Sequence, residues 1–289
     1  MEEENKRLLL VLLGGAHSLD RYLFLVLPFV LGPFVSDFTT SVKTIGSWRE
    51  QAFLFMAKCT AQYRKNVHIG KINEDAALNN FATFSMVARC PKTISLGACT
   101  SSASPAVRSR VPHVEAGVGA IVTQAKTNVL YGTKGLKLLK KGFSPQTALE
   151  TMLRDDPDRE TRQVIIIDNH GRTAAFTGKN TIDWKGNLIG KNYVVAGNML
   201  AGSKVIEAMA QAFESSEGEL AERLMKALEA GQESGGDKRG KTSAALLVMS
   251  KEQKETRPLI DLRVDEHPDP VNELRRIFEN FKKGNVCQQ

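Results

Sequence analysis

Aromatic residues are scarce in this sequence: Phe, Trp and Tyr make up 7% of its 289 residues. That scarcity weighs against a surface on which bases stack. The net charge of +7 would otherwise invite a nucleic-acid reading. The densest basic runs, Lys134–Lys141 and Gly236–Lys241, are short and carry no interleaved aromatics, so a solvated basic face is the expectation and nucleic acid is not an expected partner. Cysteine is also sparse. Cys59, Cys90, Cys99 and Cys287 form neither a CxxC pair nor a dense framework, which excludes a disulfide scaffold and fits a reducing compartment. The five histidines (His17, His68, His113, His170 and His267) stand alone, without HxxxH spacing or a Cys/His cluster, so a structural zinc site is not expected. No uninterrupted apolar run reaches the ~20 residues of a spanning helix.

What is present divides at about residue 82. Residues 1–82 form an N-terminal appendage, apolar over 8–35 but broken by His17, Asp20, Arg21, Pro28, Gly32 and Pro33. Its acidic start, MEEENKR, is wrong for a signal peptide. Trp48–Tyr63 reads as an amphipathic helix. Three readings stay open: a removable pro-segment, a weakly membrane-associating tether, or a non-native extension from a misplaced start. The residue before Thr83 is Ala82 where a start would need Met, which counts against the third. A cytoplasmic location is the first expectation, with membrane association or export the alternative if residues 8–35 are native.

From Thr83 the pattern is regular. Thr83–Arg89 and Ile94–Thr100 read as strands around the turn CPKT, and Ala116–Ala125 as a Gly-led strand. Helices are expected over Tyr131–Lys141 and after Ser144, an N-cap followed by Pro145. RQVIIIDNHGRTAAFTG reads as a hairpin and NYVVAGNML as a strand into a loop. A second helix pair follows, with Val205, Met209 and Phe213 on one face and Leu220, Leu224 and Leu228 on another. Strands TSAALLVMS and LIDLRVDE precede a last helix begun at Asp269-Pro270, with Leu274, Ile277, Phe278 and Phe281 on its apolar stripe. Helix pairs alternating with antiparallel strand groups imply an α+β fold, a four-layer αββα sandwich over residues 83–289.

The stretches TFSMVAR, AGVGAIVTQA, YGTKGLKLLKKG, DDPDRETRQVIIID, GRTAAFTG, DWKGNLIGKNYVVAGNMLAG, GGDKRGKTSAALLV and LRVDEHPDPVNELRRI, in this order, resemble the DUF1028 family. Its members resemble the N-terminal nucleophile (Ntn) hydrolases, such as the proteasome β-subunit, in the αββα fold, and usually begin Met-Thr-Phe-Ser. Removing that Met would expose the threonine.

The resemblance implies Thr83 as nucleophile. An N-terminal threonine is self-contained: its hydroxyl attacks a carbonyl, and its α-amine, of ordinary pKa ~7.7–8, takes the hydroxyl proton. An ordinary strand threonine is the other reading. Asn198, between small residues, could meet an oxyanion with its carboxamide, or merely sit in a strand-to-helix turn. Asp237 and Ser243 could orient the amine and Arg239 clamp a substrate carboxylate, or all three could belong to a solvated turn. Gln124 could touch substrate or simply end a strand. No metal or organic cofactor is expected. The expected activity is amide hydrolysis of a small amide or peptide substrate through an acyl-enzyme. The alternative is a non-catalytic binding or assembly protein with Thr83 internal, and a homo-oligomer stays open. One departure is serious: the Thr83 nitrogen is acylated by Ala82, and an amide cannot act as the base.

Overall fold

The computed structural model describes residues 83–251 and 257–286. The appendage 1–82, with its apolar segment 8–35 and the helix expected at Trp48–Tyr63, lies outside the described residues. Strand β1 (Thr83–Arg89) turns back into β2 (Leu96–Ser102), in a register that pairs Thr83 with Ser102 and Arg89 with Leu96. β2 starts two residues later than the apolar pattern predicts. Ile94 belongs to the turn, at φ 55°, and its N–H donates to the Cys90 carbonyl at 2.9 Å. Likewise β4 (Gly119–Ala125) starts after Gly117, whose φ of 68° ends the preceding turn.

Two strands escape the sequence pattern. β3 (Pro112–Glu115) is four residues long and only partly buried, and pairs with β4. β7 (Gly186–Gly190) is an exposed edge strand with a glycine at each end. The remaining strands fall where expected: β5 (Arg162–Asp168) and β6 (Thr173–Thr177) as the hairpin, then β8 (Tyr193–Asn198), β9 (Ser243–Met249) and β10 (Ile260–Val264). They form a six-stranded sheet in the order β10-β9-β2-β1-β8-β7 and a four-stranded sheet in the order β3-β4-β5-β6. Every neighbouring pair is antiparallel.

Among the described residues, five helices cover the two outer faces. α1 (Leu130–Lys140) and α2 (Pro145–Arg154) pack Tyr131, Leu139, Leu149 and Met152 onto Ile121, Val164 and Ile166 of the smaller sheet. α3 (Lys204–Ser215), α4 (Leu220–Glu233) and α5 (Pro270–Val286) bring Val205, Met209, Phe213, Leu224, Leu274 and Phe278 onto Phe84, Met86, Val195 and Leu246 of the larger one. A third apolar layer lies between the sheets, where Val87, Leu96, Ala98 and Val194 meet Ala120, Val122, Ile165 and Ile167. Strand alternation sends one residue set to the helices and the other to the opposite sheet. The fold is therefore the four-layer αββα sandwich. Ser144 caps α2 as its sequence position requires, accepting the Thr147 N–H at 3.1 Å ahead of Pro145.

Asp156, just beyond α2, ties this helix pair to β5. Its carboxylate accepts from Arg162 Nε at 2.9 Å, the Tyr131 hydroxyl at 2.9 Å and the Asp158 N–H at 2.9 Å. Burial alone would push the Asp156 carboxyl up; the hydrogen bonds from Arg162, Tyr131 and Asp158 outweigh it and hold the group down at about 2. A depressed carboxyl contributes stability that is complete above the unfolded value near 4 and lost as pH falls toward 2. We expect an acid-sensitive contribution of about 2 kcal/mol in that window. Denaturant midpoints measured against pH should fall over it, and Asp156→Asn should flatten the fall.

Candidate functional site

The layer between the sheets is not uniform. Along β1 the residues facing it run Val87, Ser85, Thr83, from apolar to hydroxyl. The same change occurs on every strand that ends beside Thr83: Ala98 gives way to Thr100 and Ser102, Ala196 to Asn198, Ala245 to Ser243, Val122 to Gln124 and Ile165 to Gln163. Antiparallel register brings these polar positions to one end. Thr83 pairs with Ser102 on one side and Asn198 on the other, Ser102 with Ser243, and Gln124 with Gln163. All are buried; Thr83 is 1% exposed and Asn198 2%. Burying so many polar groups together is tolerable only if they satisfy one another.

They largely do. Thr83 Oγ1 donates to Ser102 Oγ at 3.3 Å, and the Thr83 carbonyl accepts from Gln124 Nε2 at 3.2 Å. Ser85 Oγ lies 2.8 Å from Thr100 Oγ1 and donates to Gln124 Oε1 at 2.7 Å. Gln163 Oε1 accepts from both Gln124 Nε2, at 2.7 Å, and Asn198 Nδ2, at 3.0 Å. Its own Nε2 has two hydrogens to share among Thr177 Oγ1 and the Gly186 and Gly197 carbonyls, at 2.9, 3.1 and 2.9 Å.

Of the six residues singled out from the sequence, Thr83, Gln124 and Asn198 join this network directly. Asp237, Arg239 and Ser243 flank it. Asp237, with a side chain 1% exposed, accepts from the Ala103 N–H at 3.0 Å, the Arg239 N–H at 2.9 Å and the Arg239 guanidinium at 2.9 Å. Ser243 Oγ donates to the Ser104 carbonyl at 2.5 Å and accepts from the Val107 N–H at 3.2 Å. These bonds run to residues 103–107, just after β2, and not to Thr83. The guanidinium of Arg239 donates to Asp237 Oδ2 at 2.9 Å. Gly235, at φ 109°, lets the loop from α4 curl back, so that Ala201 N–H reaches the Gly236 carbonyl and Lys238 N–H the Met199 carbonyl, both at 3.0 Å.

Sequence reasoning passed over Ser85, Thr100, Ser102 and Gln163. Ser85 was findable, since period-two alternation puts it on the face of Thr83. Gln163 was not: within RQVIIID its role depends on a register with β4 that only the fold supplies. A separate cavity of about 340 Å³ lies at the opposite end of β5, lined by Lys140, Asp168, His170 and Arg172 among others. Among the described residues no group of three or more His, Cys, Asp or Glu is arranged to hold a metal, and no helix is long and apolar enough to cross a membrane.

Residues 83–274 match a family described as a family of unknown function, DUF1028. The crystal structure of protein SPO2555 from Silicibacter pomeroyi, also of DUF1028, is 31% identical, over 69% of this chain and 85% of that one, with a TM-score of 0.64. Anbu (ancestral beta-subunit) from Yersinia bercovieri is 12% identical, over 71% of this chain and 97% of its own, with a TM-score of 0.32, too low to carry an argument. No curated protein matches. With two thirds of its length matched and a relative of the same fold at this identity, the chain belongs to the DUF1028 family.

Proposed function

We propose that this chain is an amidohydrolase in which the Thr83 hydroxyl attacks the carbonyl of a small amide or peptide substrate. The observation that carries this reading is the position of Thr83. It heads a strand flanked on both sides and turns its hydroxyl into the buried polar end of the layer, beside the carboxamides of Gln124 and Asn198. Low dielectric there strengthens every polar contact made to a reacting carbonyl. The free α-amine of Thr83 takes the hydroxyl proton, the acyl group passes to Oγ1, and the amine of the substrate leaves with the proton that the α-amine returns to it. Water then hydrolyses the ester.

The base exists only once the Ala82–Thr83 bond is cut. Self-cleavage uses the same atoms. Thr83 Oγ1 attacks the Ala82 carbonyl, its hydroxyl proton passes to the departing nitrogen, and the C–N bond breaks to leave an ester on Oγ1 and a free amine. Water hydrolyses the ester to release residues 1–82, which then serve as a pro-segment. A second reading keeps Thr83 internal, with the fold acting as a binding or assembly protein. It is favoured by the near-complete burial of the Thr83 side chain in the intact chain. Intact mass and N-terminal sequencing of the purified protein separate the two. The hydrolase is expected to yield a chain beginning at Thr83. A full-length chain that stays intact on incubation would leave only the binding protein.

A further inference from the structure

We infer that Gln163 is a positioning residue: it dictates which way round the carboxamides of Gln124 and Asn198 stand, and so keeps the Asn198 oxygen as an acceptor at the position next to Thr83. Two main-chain carbonyls begin the chain of constraints. Gly186 O and Gly197 O, 3.1 and 2.9 Å from Gln163 Nε2, can only accept. The nitrogen of Gln163 must therefore face them, and its oxygen must face the other way. There that oxygen meets Gln124 and Asn198, at 2.7 and 3.0 Å. A carboxamide oxygen donates nothing, so both partners turn their nitrogens toward it.

Gln124 is thereby fixed at both ends. Its Nε2 also donates to the Thr83 carbonyl at 3.2 Å, and its oxygen is left to take the Ser85 hydrogen at 2.7 Å. Asn198 is fixed at one end. Its Nδ2 is drawn to Gln163, and its Oδ1 accepts no hydrogen bond from the described residues although the residue is 2% exposed. Asn198 is the direct cross-strand partner of Thr83. An acceptor in that position can receive an N–H donor. The ammonium that Thr83 gains on losing Ala82 is such a donor, a step that rests on the hydrolase reading proposed above. The ordering of the three carboxamides does not depend on it.

Gln163→Glu tests the ordering without any turnover measurement. As a neutral acid, Glu keeps one donor and one acceptor; as a carboxylate, it would aim an oxygen at two carbonyls. Burial and those oxygens raise its folded-state pKa above the unfolded value of ~4.3, so the variant loses stability as pH rises through that value. Its thermal midpoint is expected to lie nearest the wild type at about pH 4 and to fall away from it toward pH 8. Gln163→Leu should be lowered by the same amount at every pH. A Gln163→Glu offset that does not change with pH would overturn the inference.

The processed enzyme supplies the second arm. Gln163→Leu, assayed where it is fully folded, should lose kcat tenfold or more with KM within about twofold. The acid limb of its kcat/KM profile should move to lower pH, because the ammonium has lost an oriented acceptor. An unmoved limb and an unchanged kcat would reduce Gln163 to a structural residue. A chain found uncut at Thr83 would end the hydrolase reading while the thermal test of Gln163 still stood.

Discussion

Thr83→Ala, in a chain processed to begin at that residue, is expected to abolish amide turnover while leaving the fold intact. The alanine chain keeps the α-amine but has no Oγ1, so there is a base and nothing for it to activate. Neighbouring hydroxyls do not substitute. Ser85 is committed to Gln124 at 2.7 Å, two residues further from the chain end that carries the amine. Where a single nucleophile carries covalent catalysis, its removal costs on the order of 10⁶-fold in kcat. Stability should hardly change, since the Thr83 hydroxyl makes one long hydrogen bond, of 3.3 Å, worth ~1 kcal/mol or less. Assay of processed wild type, Thr83→Ala and Thr83→Ser on a library of small amides checks this. Thr83→Ser should retain measurable turnover. Wild-type rates in the alanine variant would take Thr83 out of the mechanism.

The next residue gives the opposite result. Phe84 points to the other face of β1, is wholly buried, and packs with Met209, Leu200 and Leu228 beneath α3 and α4. A Cβ at Gly231 of α4 would come within 3.1 Å of its ring, and one at Gly236 within 3.2 Å, so the ring lies hard against both the helix and the loop that carries Asp237. Phe84→Ala should cost about 3–5 kcal/mol. That is a large fraction of the ~5–15 kcal/mol typical of a domain. Urea or guanidinium midpoints should fall accordingly, and the loop at Asp237 should exchange its amides faster than other loops do. A loss below about 1 kcal/mol would mean that the site can collapse around the gap. Adjacent positions on one strand thus separate chemistry from architecture.

Much of this architecture could be read directly from the residues. The alternation in TFSMVAR, the DNHG turn between two apolar strands, the Ser144-Pro145 helix start and the Val205/Met209/Phe213 stripe are local signals, and each element forms where its signal lies. β3 and β7 were not legible, because a short PHVE segment and an exposed GNLIG edge owe their conformation to the strands beside them. The same division holds for the site. Thr83, Asn198 and Gln124 were singled out from the family likeness and from strand-end position, and the fold brings them into one network, but the partners of Asp237 and Arg239 were not foreseen. An aspartate two residues before an arginine, in a glycine-rich turn, gives no hint that it will bond the N–H of Ala103, 134 residues earlier. Gln163, passed over in the sequence, proved to be a hub.

The aliphatic half of the inner layer carries a further consequence. Val87, Ala98 and Val194 are wedged against Val122, Ile165 and Ile167 in a stack without polar atoms that could tolerate a shift. That stack works as a gauge: its thickness sets how far apart the two sheets stand, and hence whether hydroxyls on one can reach carboxamides on the other. Adding a methyl group to Ala98 would pry the gauge open a dozen ångströms or so from any group that reacts. The contacts of Gln124 and Gln163 with the opposite sheet would be the first to lengthen.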